Sequence, residues 1–375
     1  MKVCFWGDIA RSLKDNTGGG GQLQIALLAK ALVRAGHEVA IIDYEISEDF
    51  VTQDGIKVFK IKDWNKGIPV VRSFTKRLPE LYNILKAQKA DVYYCRIRDF
   101  RHIIAFWAAR KVKGNFILGL ASNLDAMNFK DRFKYHHKVS RGSLWAVTSG
   151  LLIELVYPYL LKKADIVLVQ NIEQKEVLHK KNIRSYLLQN LIEKSEKIQE
   201  ESPDRKDFIY VGRLDKRKGF SEFFKIVSET PAQTFKIIGR PDDKKSRFYF
   251  EKLKEFKNVK LLGWLNHSET LKEIANSKAL ISTSPMEGFP NVFIESWSYG
   301  IPVFSLFFDP GVIEKEKLGK VFNGNLQELV SAINQPIDSS QYYNNCKNYV
   351  SQNHLLNDSK IKEIDLLFTS IKNPN

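Results

Sequence analysis

The chain has 375 residues, of which 43% are hydrophobic and 27% are charged, and its formal net charge is +15. This composition excludes an intrinsically disordered chain, and the length favours two domains, each large enough to bury its own core. Residues 1–190 hold 31 basic and 18 acidic side chains, so most of the excess charge lies in the first half. That half is expected to be attracted to an anionic surface.

Short apolar runs alternate with amphipathic stretches along the chain. Residues 22–36 are typical of a helix, with apolar positions at helical spacing and Gly36 where a left-handed cap is favoured. Strands that alternate with helices predict an α/β fold of two Rossmann-like lobes, each with a parallel sheet. The predicted strands are 2–7, 38–43, 56–61, 91–96, 116–120 and 165–170 in the first half, then 207–212, 234–239, 258–263, 278–283 and 301–306.

The polar, charged stretch 193–206 is the best candidate for a linker. We therefore predict an N-terminal lobe at 1–192 and a C-terminal lobe at 207–350. The segment 351–375 is expected to form a last helix that can cross back to the first lobe. Cys4, Cys95 and Cys346 are predicted to be buried thiols of a reducing compartment. We see no secretory leader, and a cytoplasmic location is expected.

Residues 144–161 are mostly apolar but contain Glu154 and Pro158, and they barely reach the length that spans a bilayer. A buried or interfacial helix is therefore favoured over a transmembrane one. The preceding run, 129–141, interleaves cations with aromatic residues. It is either a solvated basic face or a surface that binds lipid headgroups, and the uneven charge favours the membrane. The predicted membrane contacts are Lys130, Arg132, Phe133, Lys134, Lys138 and Arg141.

The stretch SPMEGFPNVFIESWSYGIPV, residues 284–303, places Glu287 in a loop and Glu295 inside the helix that follows. The loop stands at the carboxyl end of a predicted parallel strand, where open α/β sheets bind ligands. Pro290 suits the first helical position, and the N–H groups that open the helix can seat an anion. Two carboxylates would repel a phosphate, so we expect them to accept hydrogen bonds from hydroxyls on either side of it. A nucleotide sugar offers that arrangement.

Two cations follow another strand of the same lobe. Arg213 and Lys218 lie in the loop after residues 207–212. Either one alone reads as an ordinary surface charge, but the pair beside the two acids suits a diphosphate leaving group. The glycine run 18–21 opens a helix and matches neither a dinucleotide fingerprint nor a P-loop. It is either a flexible turn or, as its entropic cost favours, a mobile backbone lid.

Four stretches in order resemble a retaining glycosyltransferase of family four, of the bacterial surface-polysaccharide type. They are the glycine run with LAKALVRAGHEV, then 164–174, 211–220 and 287–303, the last being the most specific. The resemblance implies the GT-B fold, in which two lobes face a central cleft. The lobe at 1–192 would then bind the acceptor, and the lobe at 207–350 would bind the nucleotide sugar. It also implies transfer of a sugar from a nucleotide diphosphate sugar to an acceptor hydroxyl, with front-side attack and retention.

The resemblance implies a role for individual residues. Glu287 would bind a hydroxyl of the donor sugar, Glu295 the ribose, and Arg213 and Lys218 the diphosphate; the implied catalytic set is Glu287, Arg213 and Lys218. The other implied donor contacts are Gly288, Phe289, Pro290, Asn291, Val292, Gly239, Arg240, Gly19 and Gly20. Many members of the family carry a histidine after the strand at 116–120, where this chain has none. Asn123 or Asp125 is expected to replace its hydrogen bond.

No Asp-x-Asp motif is apparent, so we expect metal-independent chemistry without a cofactor, with UDP favoured over GDP in the donor. The expected acceptor is a lipid-linked or surface glycan, met by a peripheral enzyme at the inner face of the plasma membrane. Two alternatives stay open. A nucleotide-sugar epimerase shares the two-lobed fold, although the acid pair argues against it. A nucleic-acid-binding protein fits the pI of about 9.4 but does not explain Glu287 and Glu295, and no nucleic acid is expected as a partner.

Overall fold

A computed structural model describes residues 1–14, 19–68, 71–128, 130–132, 144–193, 205–337 and 339–372. The chain forms two compact units. The first comprises Met1–Glu193 with Leu356–Asn375, and the second comprises Lys194–Leu355. Most of the predicted linker, from 194 to 204, lies outside the described residues.

The first unit contains one eight-stranded sheet. Its strands are β1 (Lys2–Trp6), β2 (Glu38–Asp43), β3 (Phe50–Val51), β4 (Lys57–Lys60), β5 (Val92–Arg96), β6 (Asn115–Gly119), β7 (Ile166–Val169) and β8 (Ser185–Leu187). They lie in the order β3-β4-β2-β1-β5-β6-β7-β8, and all neighbours are parallel except β3 and β4. Alternate side chains of β1 enter two cores, Val3 and Phe5 on one face and Cys4 and Trp6 on the other. The sheet is therefore buried on both sides.

Helices cover these two faces. They are α1 (Ala10–Lys14), α2 (Gly20–Arg34), α3 (Leu78–Ala87), α4 (His102–Lys111), α5 (Asn123–Ala126), α6 (Leu144–Lys163) and α7 (Ile172–His179), and a π-helical turn, Ser73–Arg77, leads into α3. Tyr157 and Leu160 of α6 are buried, whereas Leu151, Leu155 and Tyr159 are exposed. From Leu151 onward, α6 therefore buries one side and exposes another, and both sides carry apolar residues. Among the described residues, none of the helices has the length and hydropathy needed to cross a bilayer.

The second unit contains a six-stranded parallel sheet. Its strands are β9 (Asp207–Val211), β10 (Thr234–Ile238), β11 (Val259–Gly263), β12 (Ser277–Ser282), β13 (Val303–Ser305) and β14 (Gly319–Val321). Their order is β11-β10-β9-β12-β13-β14. The helices are α8 (Phe220–Glu229), α9 (Lys244–Leu253), α10 (His267–Ala275), α11 (Asn291–Ser298), α12 (Leu326–Ile333) and α13 (Ser339–Asn353), with a 3-10 turn at Lys216–Lys218.

The last helix, α14 (Asp358–Lys372), belongs to the first unit. Ile364 and Phe368 enter the same core as Ile25 and Leu28 of α2. Asp365 of α14 also contacts the rest of the first unit, with its Oδ1 2.9 Å from His37 Nε2. The chain therefore returns to its N-terminal unit after completing the second one.

The predicted α/β fold class, with two parallel-sheet lobes, is confirmed. All eleven predicted strands are present, and their ends differ from the prediction by at most two residues. The three strands that the sequence pattern missed are β3, β8 and β14, which have two or three residues each and lie at sheet edges. Such short segments are too brief for an alternating pattern to emerge. The three cysteines are buried and form no disulfide, as predicted, and burial raises the pKa of each thiol.

Each sheet has one point where the strand order reverses. In the first unit this point lies between β1 and β5, and in the second between β9 and β12. Connections on either side of such a point leave in opposite directions, which opens a crevice at the carboxyl edge of the sheet. The sequence-predicted site residues that follow β9 and β12 belong to this edge of the second unit.

Candidate functional site

The reversal point of the second sheet carries a pocket. It is lined by residues of β9 and β12 and of the loops that follow them, including Tyr210, Lys218, Thr283, Ser284, Glu287 and Pro290. Both the cationic loop and the Glu287 loop of the sequence prediction therefore reach one place. Its lining combines apolar side chains of the two strands with the charged side chains of Lys218 and Glu287.

The position of Lys218 is determined by its backbone. Its carbonyl oxygen accepts hydrogen bonds from the Tyr210 hydroxyl (3.2 Å) and from Thr283 Oγ1 (2.9 Å), one on β9 and one just after β12. The next residue, Gly219, has φ +66°, and a Cβ there would lie 2.0 Å from the Thr283 carbonyl oxygen. Only glycine permits this left-handed conformation at so close an approach. Lys218 is consequently held between the two strands at the reversal point.

Lys218 and Glu287 form an ion pair. The ammonium donates to Glu287 Oε1, and both side chains are partly exposed. One candidate cation and one candidate acid are thus in direct contact. A ligand that carries both phosphate and hydroxyl groups could engage each of them.

Arg213 takes different partners. Its side chain is 57% exposed, with Nε 3.8 Å from Asp215 Oδ2 and Nη1 3.8 Å from Asp242 Oδ2. Asp215 is held more closely by Arg217, at 2.8 Å. Because Arg213 is largely exposed and both contacts are long, they restrain its side chain only weakly. Its guanidinium can turn towards an anion at low cost.

The Glu287 loop leads into α11. The helix begins at Asn291, with Pro290 as the N-cap and no acidic residue in the first turn. The sequence pattern predicted Pro290 at the first position inside the helix, whereas it is the cap residue just before that position. Phe289 is buried against Trp297 and His354, with ring centroids 6.2 and 4.9 Å away. This anchor fixes the loop, so the positive end of the helix dipole opens at the carboxyl edge of the sheet.

Glu295 lies in the middle of α11 and is largely buried. Its Oε1 is 3.0 Å from Nε2 of His267, the first residue of α10. The hydrogen bond with Glu295 raises the pKa of His267, and burial opposes this rise. No sequence motif marks His267, because its contact with Glu295 spans 28 residues and leaves no local pattern.

The loops after β9 and β10 are joined through their backbones. Gly212 N donates to Ile238 O at 3.0 Å, and Leu214 N donates to Arg240 O at 3.1 Å. A Cβ on Gly239, whose φ is +147°, would lie 1.9 Å from the Gly212 carbonyl oxygen. The Arg240 guanidinium lies 5.9 Å from the centre of the exposed Trp264 ring. Gly239 and Arg240 therefore stand beside the loop that carries Arg213.

Gly19 and Gly20 lie in the first unit, after β1. Gly19 is the N-cap of α2, and its N–H donates to Gln22 Oε1 at 2.5 Å. The Gln22 amide in turn reaches Asp8 Oδ2, at 3.1 Å. Gly18 lies outside the described residues. The two glycines are exposed at the carboxyl edge of their sheet, beside its own reversal point.

Asn123 and Asp125 are both buried. Asn123 Oδ1 accepts from the side-chain amides of Asn171 and Gln174, both at 2.9 Å, and its own amide donates to Glu173 at 2.6 Å. Asp125 Oδ2 accepts from the backbone N–H groups of residues 121 and 122. Burial raises the pKa of Asp125. Both side chains therefore hold the loop after β6 in shape.

Of the predicted membrane contacts, Lys130 is exposed, and Phe133, Lys134, Lys138 and Arg141 lie outside the described residues. Arg132 departs from the expectation. Its side chain is 2% exposed and donates to both carboxylate oxygens of Glu154, which also pairs with Arg98. A guanidinium in this position is a structural group of the first unit and does not reach a lipid surface.

No group of three or more metal-ligating side chains comes together within the part of the chain that the structure describes. The arrangement at the reversal point of the second sheet is instead one of cations, carboxylates and a helix start. This set can hold a phosphate and accept hydrogen bonds from hydroxyls.

Residues 192–353 match the family model for "Glycosyl transferases group 1". The match covers nearly the whole second unit and less than half of the chain. Two curated relatives are an uncharacterised glycosyltransferase of Methanocaldococcus jannaschii, 30% identical over 174 residues (41% of this chain, 42% of the relative), and a lipopolysaccharide 1,6-galactosyltransferase of Salmonella typhimurium, 30% identical over 146 residues (36% and 41%). The chain spans about two fifths of the length of these relatives.

Solved structures match the chain over its whole length. The Anabaena protein HepE, in complex with UDP and glucose, has a TM-score of 0.70 at 16% identity and covers 99% of this chain and 100% of its own. Other structures of glycosyltransferases cover the chain as completely. At this level of identity the similarity shows the fold, which is that of the GT-B glycosyltransferases.

Proposed function

We propose that the protein is a retaining glycosyltransferase that moves a sugar from a nucleoside diphosphate sugar to an acceptor hydroxyl. The observation that carries this proposal is the ion pair of Lys218 with Glu287 at the reversal point of the second sheet. The site offers cations for a diphosphate, carboxylates for hydroxyls and a helix start for an anion. The family match over residues 192–353 supports the same class of reaction.

In this proposal an incoming diphosphate competes with Glu287 for the Lys218 ammonium. Once the ammonium turns to the phosphate oxygens, the Glu287 carboxylate can accept a hydrogen bond from the donor sugar. Arg213, loosely held by Asp215 and Asp242, completes the cationic side. Stabilising the negative charge that develops on the departing diphosphate lowers the barrier to its release.

Retention is proposed to follow from front-side attack, in which the acceptor hydroxyl enters on the face that the diphosphate leaves. The leaving diphosphate then takes the acceptor's proton. The chain's own residues would act by positioning and electrostatic stabilisation, with no covalent intermediate. UDP is favoured over GDP in the donor, and the chemistry is proposed to need no metal.

The acceptor is proposed to be a lipid-linked or surface glycan at the inner face of the plasma membrane. One relative carries the name of a lipopolysaccharide galactosyltransferase. In the first unit, Leu151, Leu155 and Tyr159 form an exposed stripe on α6, and Lys162 and Lys163 follow in its last turn. An apolar stripe that ends in cations suits shallow insertion into an anionic leaflet. We therefore place the proposed membrane contact on α6.

Thermal-shift screening with UDP-, GDP-, ADP- and CDP-sugars tests the donor. A binding nucleotide stabilises the folded protein by mass action, so the matching base should raise the melting temperature at concentrations above its Kd. The linkage in the product, read by NMR of the anomeric proton, tests retention. Release of an altered sugar without any acceptor would instead indicate an epimerase. Salt-sensitive DNA binding without any sugar-nucleotide binding would overturn the proposal.

A further inference from the structure

We infer that His267 is a positioning residue for the nucleotide: it holds one carboxylate oxygen of Glu295 and thereby directs the other to the ribose hydroxyls. The inference rests on the proposed function, because it assigns the ribose to Glu295. It adds a residue that no motif of the sequence marks. His267 would touch Glu295 and not the ligand.

The two oxygens of Glu295 are in different situations. Oε1 lies 3.0 Å from His267 Nε2. Oε2 has no hydrogen-bond partner among the described residues, and it is not one of the polar atoms that are sealed from solvent. Since the side chain is only 11% exposed, it has little room to rotate. Oε2 is therefore the oxygen that a ligand hydroxyl can reach.

His267 is itself held in place by the start of α10. Asn266 caps the helix, with its side chain accepting from Glu269 N at 2.9 Å, and Glu269 accepts from Asn266 N at 3.0 Å. This reciprocal capping box fixes the backbone immediately before His267. α10 packs beside α11, so the imidazole reaches Glu295 from a neighbouring helix with a defined start. A side chain mounted in this way can orient its partner.

The electrostatics favour the same contact. Among the described residues, Glu295 on α11 is the only titratable group that shifts the pKa of His267. It raises this pKa, and burial opposes the rise. A raised pKa means that the protonated form is favoured, so the charged contact is fully present below the ordinary value of 6.5 and is lost as the pH rises through the raised value. The orientation of Glu295 should weaken over that range.

The test uses a pair of ligands that differ only at the ribose. Calorimetric titration of the full chain with UDP and with 2′,3′-dideoxy-UDP measures the preference for the ribose hydroxyls, with the guanosine pair taking their place if the screen selects GDP. His267→Ala should weaken the binding of UDP about tenfold and leave the affinity for the dideoxy analogue unchanged. Only UDP has ribose hydroxyls, so only UDP can lose their hydrogen bond to the charged Glu295. Lys272→Ala, on the exposed side of α10, should change neither affinity.

Two further measurements separate positioning from simple support of the fold. His267→Gln keeps an N–H donor and should retain most of the ribose preference. In the wild type the preference should decline above about pH 6.5, whereas in His267→Gln it should be flat because glutamine does not titrate.

An equal loss of both ligands in His267→Ala would show a purely structural role and overturn the inference. An unchanged ribose preference in both variants, with a wild-type preference that does not vary with pH, would overturn it as well. If the wild type binds none of the nucleoside diphosphates, the proposed function itself fails. That result is distinct from intact UDP binding that ignores His267.

Discussion

Lys218 and Glu287 are 69 residues apart in the chain, yet their side chains pair across the point where β9 and β12 lie side by side. Each residue lies in the segment that follows its own strand, Lys218 after β9 and Glu287 after β12. Because both strands run in the same direction, their carboxyl ends meet at one edge of the sheet. The pair is thus a direct consequence of the strand order, and it defines where the proposed diphosphate site lies.

The first prediction concerns Lys218. Lys218→Ala should lower kcat/KM about 10²-fold, by analogy with the loss of one transition-state donor. Glycosyl transfer with the donor chosen by the screen is the assay. Lys216→Ala removes an exposed charge from the same 3-10 turn and should stay near wild type. Equal activity of the two variants would exclude Lys218 from the reaction.

Arg213→Ala is expected to slow transfer to a similar extent, about 10²-fold, although its ion pairs with Asp215 and Asp242 are loose. The reason is that its role would lie in the transition state and not in the stability of the fold. The melting temperature should therefore stay unchanged while turnover falls. Arg217→Ala, which removes the closer partner of Asp215, is the matched control. Wild-type turnover in Arg213→Ala would refute the assigned role.

Alanine substitutions at Gly219 and Gly263 test the close approach of the Lys218 loop to Thr283. Both have left-handed backbones, at φ +66° and +70°, but a Cβ on Gly263 meets no atom within 4 Å. Gly263→Ala should cost about 1–2 kcal/mol from backbone strain alone. Gly219→Ala should cost a further 1–3 kcal/mol or so, because the Thr283 carbonyl must move. Urea unfolding of the two variants gives the comparison, and equal costs would contradict the close approach of Gly219 to the Thr283 carbonyl.

Glu154 should stabilise the first unit in a pH-dependent way. Burial would raise the pKa of this carboxyl, but hydrogen bonds from Arg132 and Arg98 outweigh it and lower the pKa below 4.5. The stabilisation is therefore present above pH 4.5 and is lost as the pH falls through the lowered pKa. At pH 7, Glu154→Gln should lose about 3 kcal/mol, since Arg132 is left buried without its charge partner.

Chemical unfolding of Glu154→Gln at about pH 7 and pH 3 checks this sign, since the difference from wild type should shrink at the lower pH. Glu251→Gln serves as the control, because it breaks only an exposed pair with Lys254. A difference for Glu154→Gln that grows on acidification would contradict the assigned pKa direction.

The exposed apolar stripe of α6 should bind to anionic membranes. The wild type should sediment with phosphatidylglycerol-containing vesicles, and the bound fraction should fall as salt is added. Leu151→Glu combined with Leu155→Glu should reduce partitioning at least about tenfold, because the apolar area available for insertion is lost. Phe248→Glu changes an equally exposed apolar residue of the second unit and should have no effect. Failure of the wild type to sediment even at low salt would contradict a membrane contact on α6.

The sequence by itself determined the local structure of this protein. The alternation of short apolar runs with amphipathic stretches located eleven strands, and the residues after those strands marked Arg213, Lys218 and Glu287 as candidates. Such patterns report whether a backbone segment is buried on one face or two, which depends on neighbouring residues in the chain. For the same reason Glu295 was placed correctly inside a helix.

Only the tertiary structure decided which of these residues meet. The partners Lys218 and Glu287, His267 and Glu295, and Arg132 and Glu154 come from distant segments that the strand order and helix packing bring together. Arg132 shows the limit most clearly, because a cation in a basic run is expected to be exposed until its acidic partner, Glu154, is found. The sequence gives the charge of a side chain directly. Its partner depends on contacts between helices and strands, and such contacts leave no periodic pattern in the local sequence.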